Sequence, residues 1–496
     1  MKRITFAINF ILLALLTQAQ NPQNLCGISN TQADWLTKYQ ANPDRYEKSG
    51  DPLYVALAIH LVDDIEEIHF PHKSEIYDAL CALNEDFEQA NIHFYVTHDF
   101  NYITDSYYAE PDINRAYELV SNFNTPNKID IFFVHNFDLP TSVSYPVDHL
   151  GIILQNYMLA PHNHHQWTHQ MGHFFSLPHT CYGWDLWEQF PDGFDFTQPA
   201  PDSINWLPVE LVDGTNCTVA GDGFCDTPPD YLANPWICNE DGESSIIQHD
   251  PAGVAFRSDG SFFMSYSNDD CQTRFSEEQI AAMRAYIENE DTMFLTTETP
   301  LPDISDTPLE QYYPIGGEEA LLTDSNTIVL SWEEAENATK YIVQIAPFPS
   351  FQSLTWEYYS DTSSLVLSGL EPNEHYFWRV RAVSEWSSCT PYSDISDFRT
   401  PTFVSANELE VFRNVVIRPN PVAVGQNMQM QFKAQNKERS SMTILNTQGR
   451  VLSQKSINPV IGMQSMAIPT ASLAPGIYFL QLQSSKGFHY EKFVVQ

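Results

Sequence analysis

Histidines 169, 173 and 179 punctuate the run His169-Gln170-Met171-Gly172-His173-Phe174-Phe175-Ser176-Leu177-Pro178-His179, the stretch that most constrains how this chain folds. Residues four apart on a helix share a face, with Cβ atoms about 5–6 Å apart, so His169 and His173 are expected to grip one cation together. His179 falls beyond that helix, because Pro178 cannot continue it and forces the chain to turn back. The fold must therefore bring a helix, a tight reversal and a third imidazole to one point. Next to His169 stands Gln170, an amide that keeps the shape of a glutamate but cannot take up and release a proton at neutral pH.

At 496 residues the chain is too long for one ordinary core, and two to four domains are expected. The first 20 residues are not one of them. Lys2 and Arg3 precede an apolar run from Ile4 to Leu16, and small residues follow, the pattern of a secretory signal peptide. No later stretch approaches roughly 18 apolar residues, so the mature chain is expected to be exported and to lack a transmembrane segment. The formal net charge of −40 repels phosphate backbones and argues against nucleic-acid partners. The excess is uneven: Val411–Gln496 carries 9 Lys and Arg against 2 Asp and Glu, which marks it as a separate unit.

Eight cysteines in an exported chain point to disulfides, although eight allow on the order of a hundred pairings. Cys217, Cys225, Cys238 and Cys271 cluster around the histidine domain. Short separation favours Cys217–Cys225, leaving Cys238–Cys271.

Hydrophobic patterning divides the rest. Tyr54–Val62 reads as a buried strand, and Ile76, Leu80, Leu83 and Phe87 recur at helical spacing across 74–90. Strands follow at Ile92–Val96, Ile129–Val134 and Gly151–Leu154, just before the histidine helix, which implies an α/β sandwich on a mixed sheet. Residues 180–262 are long, acidic and aromatic, a stretch expected to need disulfides or a site to hold it. A helix resumes at Ser276–Asn289, and 296–314 reads as a linker rich in Thr, Pro, Asp and Glu. From 315 to 400 the pattern is all-β, with alternation at Ile328/Leu330/Trp332, Tyr341/Val343/Ile345, Leu365/Leu367 and Tyr376/Trp378/Val380/Ala382.

Trp332 and the run Tyr376-Phe377-Trp378-Arg379-Val380 resemble fibronectin type III modules. The last segment, 411–496, resembles the type A C-terminal sorting domain of the type IX secretion system. The carrying residues are Arg418-Pro419-Asn420-Pro421, Asn446-Thr447-Gln448-Gly449-Arg450-Val451-Leu452, Leu473-Ala474-Pro475-Gly476-Ile477-Tyr478 and Lys492-Phe493-Val494-Val495. That resemblance implies export to the surface or surroundings of a bacterium, with the type IX machinery as a partner.

The histidine run, together with Phe262-Phe263-Met264-Ser265-Tyr266, resembles the zinc-binding motif and Met-turn of metzincin peptidases, specifically the pappalysin family (M43). Leu83-Asn84-Glu85-Asp86-Phe87 and Gly221-Asp222-Gly223-Phe224-Cys225-Asp226-Thr227-Pro228 accompany it, and the likeness spans roughly 50–290 within a domain expected over 21–295. The resemblance implies zinc on His169, His173 and His179, Met264 packed beneath the metal, and Tyr266 beside the metal or the reacting peptide. It also implies calcium as a second candidate ion, with Asp222 and Asp226 as contributors or, equally, as turn caps.

Two positions depart from the family pattern. Ser176 stands where a glycine would adopt positive φ, at a cost of about 1–2 kcal/mol for a side-chain-bearing residue. Gln170 stands where the general-base glutamate belongs, and general acid–base catalysis contributes about 10²–10⁴-fold. The expectation is a secreted zinc-binding peptidase homologue with impaired catalysis and a peptide or protein ligand. Two alternatives stand beside it. One is an active metallopeptidase with another base, for which Asp185 and Glu188 are the nearest candidates. The other is a non-catalytic surface adhesion or binding protein.

Overall fold

The computed structural model describes residues 30–46, 49–64, 70–96, 100–137, 145–147, 151–185, 194–296, 299–321, 327–351, 355–401, 412–434, 437, 440–446, 450–484 and 487–496. The expected signal peptide, Glu188 and Trp187 lie outside them. The chain divides into two compact units, the first comprising Met1–Thr307 with the short segments Ala335–Lys340 and Ala382–Pro391.

The first unit opens with α1 (Asn30–Ala41), β1 (Leu53–Asp63), α2 (Lys73–Phe87) and β2 (Ile92–Val96). Then come β3 (Asn101–Thr104), α3 (Ser106–Ala109), α4 (Ile113–Phe123), β4 (Ile129–Val134), β5 (Tyr145–Val147), β6 (Gly151–Gln155) and α5 (His165–Phe174). Strand order is β2-β1-β4-β6-β5, with β3 also pairing β1; every pairing is parallel except β5 with β6. Parallel strands are covered on both faces, so they read as continuous apolar runs rather than alternating ones. In β4, Ile129, Ile131 and Phe133 pack with α1, α2 and α5, whereas Phe132 and Val134 face Ala116, Leu119 and Val120 of α4. The mixed sheet read from the sequence is therefore present. Helices α1 and α4 and the short strands β3 and β5 were not anticipated; the apolar positions of α1, β3 and β5 are few, whereas Ile113, Ala116, Leu119, Val120 and Phe123 of α4 do recur at helical spacing.

After α5 the chain forms two small hairpins, β7 (Ser203–Ile204) with β8 (Leu207–Pro208) and β9 (Gln248–His249) with β10 (Ala255–Phe256), before α6 (Glu277–Asn289). Disulfides Cys217–Cys225 and Cys238–Cys271 pin this insertion, and a third, Cys81–Cys389, joins α2 to the segment Ala382–Pro391 of the same unit. The insertion also has its own apolar cluster, with Trp184 stacked on Tyr231 at 4.7 Å.

The 296–314 stretch is not a linker throughout. Ile304 is buried and its N–H donates to Ser387 Oγ within the first unit, and Gln311–Tyr313 is already a strand. That strand, β11, opens a sandwich with β12 (Glu318–Glu319), β13 (Ile328–Trp332), β14 (Lys340–Ala346), β15 (Trp356–Ser360), β16 (Ser364–Leu367), β17 (His375–Val383) and β18 (Ser396–Arg399). Its sheets run β11-β13-β16 and β12-β18-β17-β14-β15. Trp332 and Trp378 are buried between them, the Trp378 indole N–H donating to the Pro314 carbonyl at 2.8 Å. Strand β14 departs from the expected alternation, since its residues are buried from Tyr341 to Ala346.

The C-terminal strands are β19 (Phe412–Arg418), β20 (Asn427–Ala434), β21 (Ser440–Asn446), β22 (Val451–Ile457), β23 (Gly462–Pro469), β24 (Gly476–Ser484) and β25 (Gly487–Val495). They form sheets β19-β20-β23 and β22-β21-β24-β25 around Met428, Met430, Phe432, Ile444, Leu480 and Phe493.

One packing detail places the histidine helix. The last carbonyls of a helix lack intrahelical partners, and those of His173 and Phe174 each accept from Gln32 Nε2 of α1 at 2.9 Å. Removing that amide takes one buried hydrogen bond from each oxygen. Gln32→Ala is expected to lower the stability of the first unit by about 1–3 kcal/mol, read by chemical denaturation.

Candidate metal centre

Helix α5 presents His169 and His173 on one face, both buried. It ends in a Schellman turn: Ser176 N–H donates to His173 O at 2.9 Å and Leu177 N–H to Gly172 O at 3.0 Å. The residue closing such a turn takes the left-handed conformation, and Ser176 does so at φ +77°. The turn then carries His179 back over the helix.

The three imidazoles meet. His173 Nε2 lies 3.1 Å from His169 Nε2 and 3.0 Å from His179 Nε2. Each opposite nitrogen contacts an oxygen: His169 Nδ1 the Phe263 carbonyl at 2.6 Å, His173 Nδ1 the Leu177 carbonyl at 2.7 Å, and His179 Nδ1 Asp185 Oδ2 at 2.7 Å. A carbonyl only accepts, so Nδ1 of His169 and His173 carries the proton, and an ionised Asp185 imposes the same tautomer on His179. In neutral rings the Nε2 lone pairs are then available, an arrangement able to hold a shared cation. Their nitrogen donor set and spacing fit a zinc-type ion.

Met264 and Tyr266 also reach this point. A Cβ built on Gly172, between the two helical histidines, would fall 2.4 Å from Met264 Sδ, so the absence of a side chain there lets the methionine lie against the helix. The Tyr266 ring centroid is 4.5 Å from that of His179 and 6.4 Å from that of His169. Gln170 is buried on α5 beside His169.

Asp185, named above as a substitute base, turns its carboxylate elsewhere: Oδ2 is on His179 Nδ1, and Oδ1 accepts the Gly183 N–H at 3.0 Å. His165, the first residue of α5, is paired through Nδ1 with Asp86 Oδ2 at 2.7 Å, and Thr168 Oγ1 donates to the same oxygen. Burial opposes its protonation, but the bond to Asp86 and the charges of Asp86, Asp269 and Asp270 outweigh that and raise its pKa.

Sequence reasoning missed Asp230. It is buried, accepts from Thr180 Oγ1 (2.8 Å) and Ser258 Oγ (2.6 Å), and lies 3.5 Å from Ser265 Oγ, tying the residue after His179 to the one between Met264 and Tyr266. No pattern along the chain links positions 180, 230 and 265.

The acids considered for calcium serve as caps in this structure. Asp222 Oδ1 accepts from Phe224 N–H and Thr227 Oγ1, while Asp226 Oδ2 accepts the Glu278 N–H at the start of α6. Burial pushes Asp222 up to about 8 against those hydrogen bonds, and burial with the charges of Asp222 and Asp230 pushes Glu210 up to about 9.

Residues 416–496 match the family model of the secretion system C-terminal sorting domain. That domain indicates secretion and cell-surface localisation in bacteria by the type IX route. Among solved structures, the chain is similar to the FN1–FN3 domains of chicken CNTN1, at 12% identity and TM-score 0.15, covering 37% of this chain and 66% of that one. It therefore spans just under two thirds of that structure. It is also similar to the fn3 domain of the human collagen alpha-1(XX) chain, at 25% identity and TM-score 0.15, covering 21% of this chain and 96% of that one. No curated protein matches the chain. None of these comparisons bears on the metzincin resemblance of the first unit. The protein is thus a secreted, multidomain chain with a C-terminal sorting domain.

Two outcomes follow for the residues around the centre. Ser176→Gly relieves the left-handed strain and is expected to stabilise the first unit by about 1 kcal/mol in thermal or chemical melts. Glu210 and Asp222 bind protons more tightly when folded than at their ordinary values of 4.5 and 3.8. Their contribution to stability is full below the ordinary values, declines as pH rises, and is lost above about 9. Melting temperature is expected to fall from about pH 5 to 9, and Glu210→Gln with Asp222→Asn to flatten that fall.

Proposed function

We propose that the first unit is a metzincin-like, zinc-binding domain of the pappalysin type that receives a peptide or protein segment and hydrolyses it poorly or not at all. The observation that carries this reading is the convergence of three Nε2 atoms, that of His173 lying 3.1 Å from that of His169 and 3.0 Å from that of His179. The left-handed turn at Ser176, Met264 against Gly172 and Tyr266 beside His179 support it. A bound zinc ion would supply Lewis acidity and activate a water for attack.

The residues then divide the work. The three imidazoles hold the ion, and Tyr266 stands where it would orient a ligand carbonyl. Gln170 hydrogen-bonds but does not move a proton, so the transfer from attacking water to leaving amine has no carrier at that position. Asp185 does not replace it, being engaged by His179 and Gly183. With the sorting domain directing export, the reading is a surface or secreted peptide-binding protein descended from a peptidase.

Metal analysis and a peptidase assay on the native chain and Gln170→Glu test this. About one zinc per chain is expected in both, with the Glu variant cleaving at least about 10²-fold faster. Native turnover within about tenfold of the variant, or an absence of zinc from both, refutes the reading.

A further inference from the structure

Of the three imidazoles, His169 and His173 belong to α5 and lean on backbone carbonyls, whereas His179 lies on a turn and leans on a side chain. That side chain is itself braced. Asp185 Oδ1 accepts the N–H of Gly183, whose φ of +97° suits glycine. The Gly183 carbonyl accepts from Asn205 Nδ2 at 2.8 Å. Asn205 and Trp206, at φ +48° and +68°, form the two-residue turn of the β7–β8 hairpin. The hairpin closes on the same glycine: a Cβ there would sit 3.5 Å from Leu207 Cδ1 and 3.7 Å from Ile204 Cγ2. His179 is buried and Asp185 nearly so, with side-chain exposures of 1% and 11%.

We propose that Asp185 is the positioning residue of the metal centre, orienting the third imidazole and setting its donor strength. This rests on the metal-binding reading above. A carboxylate on Nδ1 holds the tautomer that leaves Nε2 free to bind, strengthens the ring as a donor and places a negative charge behind the cation; loss of such a partner costs about 10–100-fold in metal affinity. The His179 turn has no helix to aim it, so it depends on this contact more than the other two ligands depend on theirs. The β7–β8 hairpin belongs to the same device, as the brace that keeps Asp185 facing His179.

Cobalt(II), a visible-absorbing stand-in for zinc, tests the assignment in the full chain by competition titration and absorption spectra, with melting of the metal-free proteins measured alongside. Asp185→Asn retains an accepting oxygen but loses the charge, and is expected to weaken cobalt binding about tenfold with a near-native spectrum. Asp185→Ala is expected to weaken it about 100-fold and to shift the spectrum toward that of His179→Ala. The proposal is overturned if Asp185→Ala binds cobalt within about twofold of native with an unchanged spectrum, whatever its melting temperature. It is also overturned if Asn and Ala variants lose affinity equally. A native protein that takes up neither cobalt nor zinc refutes the metal-binding reading itself and this assignment with it.

Discussion

Three rings can bring their Nε2 atoms together, two of them within 3.1 Å of the His173 Nε2, only if something holds each ring from behind, and here three different segments do so. The Phe263 carbonyl orients His169, the Leu177 carbonyl orients His173, and Asp185 orients His179. The helix, its exit turn, the insertion and the methionine loop must therefore all be in register before the centre exists. Much of the surrounding hydrogen bonding serves that register. Gln32 satisfies the end of α5, and Asp230 binds the His179 turn to the methionine loop.

The same dependence explains why the insertion is so elaborate. An acidic, aromatic stretch of this length does not order itself through periodic packing, and two disulfides, an aromatic cluster and short hairpins take that role. Burying Glu210 and Asp222 there is costly for the ionised forms, and protonation relieves the cost. In a chain of net charge −40, neutralising acids at close quarters also eases mutual repulsion.

In the proposed reading, Gln170 separates holding an ion from using it. Metal affinity depends on the imidazoles and on what stands behind them; proton transfer depends on one neighbouring carboxylate. An amide at that position preserves volume and hydrogen bonding, so it leaves the packing of α5 intact while removing a proton carrier. The sorting domain at 416–496 concerns export to the cell surface rather than chemistry.

Much of this was legible along the chain, because it rests on local periodicity. The continuous apolar runs of β1, β4 and β6, the heptad-like spacing of α2 and the alternation of β13 and β17 each record which face is buried. The histidine spacing, the need for positive φ at Ser176 and the pairing of Cys217 with Cys225 depend on neighbours only a few residues apart. What failed was of another kind. The expected linker is buried at Ile304 and already a strand at Gln311–Tyr313, and the contacts of Asp185 with His179 and Gly183 were not legible. The sequence alone determined the spacing of the three histidines, the amide at Gln170 and the route of export, since these follow from residue type and short motifs. Only the tertiary structure decided which oxygen stands behind each imidazole, because those contacts join residues 4 to 94 positions apart and the longest of them depends on how whole elements pack.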